Sequence, residues 1–339
     1  MGNLGPEELA AAALASTLCN VTGMSFSVGL SSAITTLTGQ ARGELILKGK
    51  TMVMRRKSLE TTSREKNQTH GENHHERKIG EESTPLLPNG TVTVTVTVTG
   101  NGTGTGTGEH LTLSYDTALA VAGAVAHHTI DSSTTAAAAS PIQPLVFLYR
   151  GIIIQLAFVI PIGLWWIKGI QPLFLALGQE PELSIMSASY LRVLTPGLWA
   201  YSINWTLTSW LQAIAIADVP AWAALVGFLS HVPFNILFVH VLGFGYLGVA
   251  MATVMFQVLQ PIIMCGYLFG TARGRARVLE ATGAKAVGRT HLTFWPEAYA
   301  AVTSIAGIKQ YLSLALPGVV IISEWWASEC VVSFHMFIG

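Results

Sequence analysis

Apolar residues collect into blocks, about six of which are long enough for a helix of about 20 residues to cross a hydrocarbon core about 30 Å thick. The blocks run over residues 10–39, 145–167, 190–216, 220–242, 246–269 and from 311 to the end of the chain. The first is rich in Ala, Ser, Thr and Gly, a composition that inserts poorly alone but lets helices pack closely in a bundle. Pro161, Pro196, Pro233, Pro261 and Pro317 interrupt five of the six. An intramembrane proline is tolerated where a neighbouring helix or water satisfies the carbonyl it frees, so each is either a packing kink or a break of the kind transporters use. The pattern specifies an all-α, polytopic membrane helix bundle.

Composition agrees. Half of the residues are hydrophobic and 11% are charged, far below the roughly 25% of a soluble domain. Between Gly151 and Gly270 the cations are Lys168 and Arg192 and the anions Glu180, Glu182 and Asp218. Zero net charge gives no reason to expect a nucleic-acid partner. Cys19, Cys265 and Cys330 lie in apolar segments without metal-type spacing and read as small packing residues.

The cations set an orientation. Ten Lys or Arg residues fall between Arg42 and Lys78 and six more between Arg273 and Lys309, so both segments are expected on the cytoplasmic side. Four blocks separate them, an even number, which is self-consistent. The N-terminus is then extracytoplasmic, and the last helix leaves the cytoplasm and stops. A chain of that shape reads as truncated at both ends. The expected organisation is a membrane helix over 1–40, a cytoplasmic disordered low-complexity insertion over 41–143, and four membrane helices over 144–270. A cytoplasmic loop over 271–309 and a last membrane helix over 310–339 follow. The insertion holds alternating Thr and Val from Thr91 to Thr99, alternating Gly and Thr from Gly102 to Gly108, and few large apolar residues with which to bury a core. It also holds an acid followed by two leucines, Glu82 with Leu86 and Leu87, in the spacing of an acidic dileucine sorting signal.

Candidate chemistry is sparse. The sequons at Asn20, Asn67, Asn89, Asn101 and Asn204 fall within spans or in the cytoplasmic loop, where glycosylation does not reach. His74, His75, His127 and His128 lie in the insertion, and His231 and His240 on opposite sides of one helix. No phosphate-binding loop, nucleophile elbow or zinc motif is present, which leaves an ATP-driven pump or a hydrolase without residues to stand on, and the chain is expected to be no enzyme and to need no cofactor. Glu324 and Glu329 stand out, because a charged side chain in hydrocarbon costs a few kcal/mol or more and is a functional-site candidate by default. The alternative for each is helix–helix hydrogen bonding without transport. Desolvation and mutual repulsion would let them hold protons that an aqueous Glu loses, and an arriving cation would displace those protons. Trp325 would add cation–π attraction of about 0.5 to 2 kcal/mol. Their spacing puts the two acids about 140° apart on a helix, so they need not share a pocket.

Four blocks carry a family resemblance. CNVTGMSFSVGLSSAITTLTGQARG (19–43) resembles the second helix of the multidrug and toxic compound extrusion (MATE) family in its eukaryotic branch. LGQEPE (177–182) followed by YLRVLTPGLWAY (190–201) resembles its turn and fourth helix, and GYLGVAMA (245–252) its fifth-to-sixth junction. EWWASE (324–329) resembles the signature of its seventh helix, although Ser328 stands where some eukaryotic relatives have an aromatic residue. The resemblance implies a twelve-helix, two-lobed antiporter that exports organic cations, xenobiotics or metabolites in exchange for protons or sodium ions. This chain would hold an incomplete N-terminal lobe plus the start of the second. It also implies that Glu324 and Glu329 couple the cation and attract substrate, that Asn20 is a polar pocket residue, and that Trp325 is an aromatic wall. Its partners would be small organic molecules, the coupling ion and the lipid bilayer of a plasma, vacuolar or endosomal membrane. The competing expectations are a non-transporting fragment or regulatory half-transporter, or a carrier of organic anions or lipid-linked glycans.

Overall fold

A computed structural model describes the backbone of residues 5–76 and 141–338 and the side chains of 5–61 and 141–324. Among these residues the chain is helical throughout, without a strand. The elements are α1 (Pro6–Cys19), a π turn (Asn20–Met24), α2 (Ser25–Glu76), α3 (Gln143–Lys168), α4 (Ile170–Ala176), α5 (Pro181–Ala213) and α6 (Asp218–Asn235). A second π turn (Ile236–Val241), α7 (Gly245–Gly270), α8 (Ala272–Ala281), a 3-10 turn (Ala284–Val287), α9 (Trp295–Thr303) and α10 (Ile305–Ile338) complete them.

Local chemistry sets the boundaries. Pro181 opens α5 after an extended Glu180, a position where the missing proline N–H is no loss. Gly243 and Gly245, at φ +70° and +55°, make the left-handed turn between α6 and α7. Thr271 starts α8 by accepting the Gly274 N–H at 2.9 Å. The prolines at 161, 196, 233, 261 and 317 lie inside continuous helices, and the irregular backbone falls instead in the two π turns.

Five helical stretches are, by length and composition, able to cross a membrane: Pro6–Thr61, Gln143–Lys168, Asp218–Val241, Gly245–Gly270 and Ile305–Glu324. α5, expected as a span over 190–216, is not among them. Its 33 residues pack against α1, α3 and α7, and it carries buried Ser184, Ser187, Ser202 and Thr206, which lower its hydropathy while lying inside the bundle. The helix expected over 1–40 continues to Glu76, so residues 41–76 of the expected insertion are helical. Arg, Lys, Glu, Leu and Met in that stretch are good helix formers, which composition read as loop obscures. The rest of the insertion, with its Thr-Val and Gly-Thr runs and the dileucine pattern, lies outside the described residues.

Residues 1–49 and 141–339 form one compact unit. It holds two apolar clusters. One gathers Leu30, Ile34 and Leu37 of α2 with Leu145, Leu148, Leu207, Trp210 and Tyr311. The other gathers Ala12, Ala15 and Cys19 of α1 with Trp166, Phe174, Leu191, Leu194 and Leu198. A buried polar seam ties α2, α3 and α5: Ser27 and Ser202 hydroxyls are 2.7 Å apart, and Gln155 Nε2 donates to Ser27 O at 2.7 Å and Ser31 Oγ at 2.9 Å. Residues 50–140 form the second unit, of which 50–76 is described as helix, with Arg56 and Glu60 paired one turn apart at 3.1 Å.

Candidate functional site

Between α5, α6 and α7 lies a half-open cavity of about 310 Å³. Tyr201 and Trp205 on α5 and Phe256 on α7 wall it, with Pro220 and Ala224 of α6 opposite. Tyr201 and Trp205 meet edge to face, ring centroids 6.1 Å apart. Its polar lining is Asn204, Gln257, Gln260 and Thr208, and no lining residue carries a formal charge. Residues 201, 204 and 208 sit at helical spacings of three and four, which puts them on one face of α5.

Two of the lining amides have oxygens closed off behind the cavity wall. Asn204 Nδ2 donates to Gln260 Oε1 at 3.1 Å, while Asn204 Oδ1 and Gln257 Oε1 are buried without a partner. A buried carbonyl oxygen without a donor carries a desolvation penalty of about 1–3 kcal/mol. One turn beyond Gly227 on α6, the His231 ring meets the Phe256 ring edge to face at 5.4 Å, and its Nδ1 is also buried and unpartnered. Aromatic walls without a formal charge suit a flat or apolar molecule, above all an organic cation.

Asn20 and Glu324, two of the residues expected from sequence, are not among those lining this cavity. Asn20 is half-buried at the start of the first π turn, where Trp166 Nε1 donates to Thr22 Oγ1 at 2.9 Å. α10 packs against this turn, so the element that carries Asn20 and the helix that carries Glu324 are neighbours. α10 crosses α2 very closely. A Cβ on Gly29 would lie 2.4 Å from Val319 Cα, and one on Gly318 would lie 2.9 Å from Gly29 O. Tyr311 of α10 also donates to Leu30 O at 2.8 Å. Glu324 is exposed, and the neighbouring Ser323 hydroxyl is buried without a partner. The side chains of Trp325 and Glu329 lie outside the described residues.

The cavity leaves a faint trace in the sequence, where Asn204 stands in a sequon that topology excludes. Gln257 and Gln260, two amides three residues apart in an apolar span, were the available signal, because uncharged polar side chains in a span serve interhelical hydrogen bonding or a pocket. Outside the spans, Arg277 of α8 makes two hydrogen bonds to the Asp218 carboxylate, which hold its guanidinium above its ordinary pKa.

A model of the MatE family matches residues 1–47 and 133–237, covering the first π turn, α3 and the cavity wall of α5. The chain is similar to the MatE family over these two segments. Protein DETOXIFICATION 12 of Arabidopsis thaliana is 23% identical over 333 residues, a match covering 98% of this chain and 46% of that protein. Protein DETOXIFICATION 13 of the same plant is 24% identical over 334 residues, covering 98% and 45%. The chain thus spans about half the length of these relatives. The crystal structure of the eukaryotic MATE transporter AtDTX14 superposes with a TM-score of 0.58 at 17% identity, over 98% of this chain and 49% of that one. That likeness shows the MatE fold, and with the apolar helices it makes this a multi-pass integral membrane protein.

Proposed function

We propose that this chain serves a secondary antiporter exporting organic cations, xenobiotics or metabolites in exchange for protons or sodium ions. One observation carries the reading: a cavity walled by the rings of Tyr201, Trp205 and Phe256, with no charged lining residue. An organic cation supplies the charge that the aromatic faces attract. Glu324, on the helix packed against the Asn20 turn, is the coupling carboxylate, with Glu329 its partner acid and Trp325 an aromatic wall beside it. Proton and cation compete for Glu324, so export of one draws on the gradient of the other. Both cation-rich segments face the cytoplasm in this reading, and the membrane is a plasma, vacuolar or endosomal one.

Proteoliposomes containing the chain, with an acidic lumen, should accumulate a fluorescent organic cation, and collapse of the proton gradient should release it. Glu324→Gln should lose most of that accumulation. Uptake equal to the unsubstituted chain in the Gln variant would remove Glu324 from the coupling role. A sodium gradient that drives uptake where a proton gradient does not would exchange the coupling ion while keeping the antiporter.

A further inference from the structure

α9 is held on one side and bare on the other. The held side carries Glu297 and Ala301, 0% and 1% exposed. The Glu297 carboxylate accepts the Ile142 N–H at the start of α3 at 3.3 Å and the Thr293 hydroxyl at 2.7 Å, and pairs with Arg289 at 3.2 Å. About two turns along α3, the buried Arg150 donates to Ala301 O at 3.2 Å and Ala300 O at 3.3 Å, in the last turn of α9. Each helix therefore caps an end of the other, acid at an N-terminus and base at a C-terminus. The Arg150 guanidinium also lies against Gly307, at the start of α10.

The bare side carries Trp295, Tyr299 and Val302, 79%, 72% and 54% exposed. Spacings of four and three put them within about 60° of one another on a helix, opposite Glu297 and Ala301. Phe294 and Ile305 extend the patch at either end. Scattered apolar residues on a surface need no explanation, but a contiguous stripe on a short helix outside the spans does.

Depth and composition identify what covers it. The caps fix α9 alongside α3 between Ile142 and Arg150, the first turns of a 26-residue helix. About 20 residues cross the hydrocarbon, so those turns sit at its edge. Trp and Tyr combine an apolar ring with a polar N–H or O–H and concentrate at that edge. The segments on either side of α9 expose Lys285 and Lys309, the charge that lipid phosphates attract.

We propose that the Trp295, Tyr299 and Val302 face of α9 docks into the headgroup–acyl boundary of the bilayer on the cation-rich side, and so fixes where α10, the helix bearing Glu324, enters the membrane. The test places a single environment-sensitive fluorophore at Tyr299→Cys, in the full chain with its three native cysteines replaced by alanine, in nanodiscs. Emission should be blue-shifted relative to the free dye in water. Lipids brominated near the headgroup should quench it at least twofold more strongly than lipids brominated near the acyl terminus. Water-like emission would overturn the proposal, and so would blue-shifted emission that neither lipid quenches, because protein would then cover the face. An unlabelled Trp295→Phe variant gives an independent reading: the bromine-quenched share of tryptophan fluorescence should fall. An unchanged share would overturn the proposal too.

Discussion

Gln257 places its carbonyl oxygen where a Cβ on Gly197 would come within 2.2 Å, with no donor in reach. An amide kept in that state costs stability. Gln257→Leu should therefore raise stability by about 1 kcal/mol, read as a higher melting temperature in detergent. An unchanged or lower melting temperature would mean that the oxygen costs the fold nothing. Glu297 has the opposite character. It is fully buried and satisfied by Arg289, Thr293 and Ile142, so Glu297→Ala should destabilise the fold by about 3–5 kcal/mol in a denaturation series, because it breaks a buried ion pair and removes the acceptor that Thr293 and Ile142 use. The sequence shows Glu297 only as a charge between apolar blocks and Gln257 only as an amide inside one. Glu297 acquires its meaning from Ile142, 155 residues away, and Gln257 from Gly197 on another helix, and no local pattern records such a neighbour. Glu324 shows the converse: its anomaly is visible in the chain as a carboxylate among apolar residues.

Arginines finish several of these helices. Arg192 donates to Ile167 O at the end of α3, Arg275 to Phe269 O at the end of α7, and Arg42 to Ala281 O at the end of α8, at 3.1, 2.8 and 2.7 Å. The last four carbonyls of a helix have no internal partner, and a guanidinium supplies both the donor and the charge that opposes the helix dipole. Helix existence followed from apolar blocks, and the expected spans over 145–167 and 246–269 differ from Gln143–Lys168 and Gly245–Gly270 by only one or two residues at each end. Helix extent beyond the apolar blocks did not follow, as in α2, because propensity acts through residues that hydropathy counts as loop. Two glycines of α2 separate packing from propensity. Gly39 has nothing within 4 Å of a Cβ, whereas a Cβ on Gly29 meets the backbone of Val319. Gly39→Ala should stabilise by about 1 kcal/mol and Gly29→Ala destabilise by about 1–3 kcal/mol, measured as shifts of opposite sign in thermal unfolding. Equal shifts would mean that α10 does not rest on α2.

In the unit formed by residues 1–49 and 141–339, the two apolar clusters divide one continuous helical path between them. Ala12, Ala15 and Cys19 face the cluster around Trp166, and Leu30, Ile34 and Leu37 face the cluster around Leu145 and Tyr311. A straight α-helix keeps the azimuth of its stripe, and the join between these two stripes is the π turn Asn20–Met24. One surplus residue advances the phase of everything beyond it by about 100°. The turn thus works as a phase shifter, and the bundle can be reset by a single codon. Deleting Val21 should restore an unbroken α-helix and swing the alanine face of α1 off its cluster, seen as new protease cleavage before residue 20 while α2 stays protected. The length of that turn, more than its side chains, decides which neighbours the first helix meets.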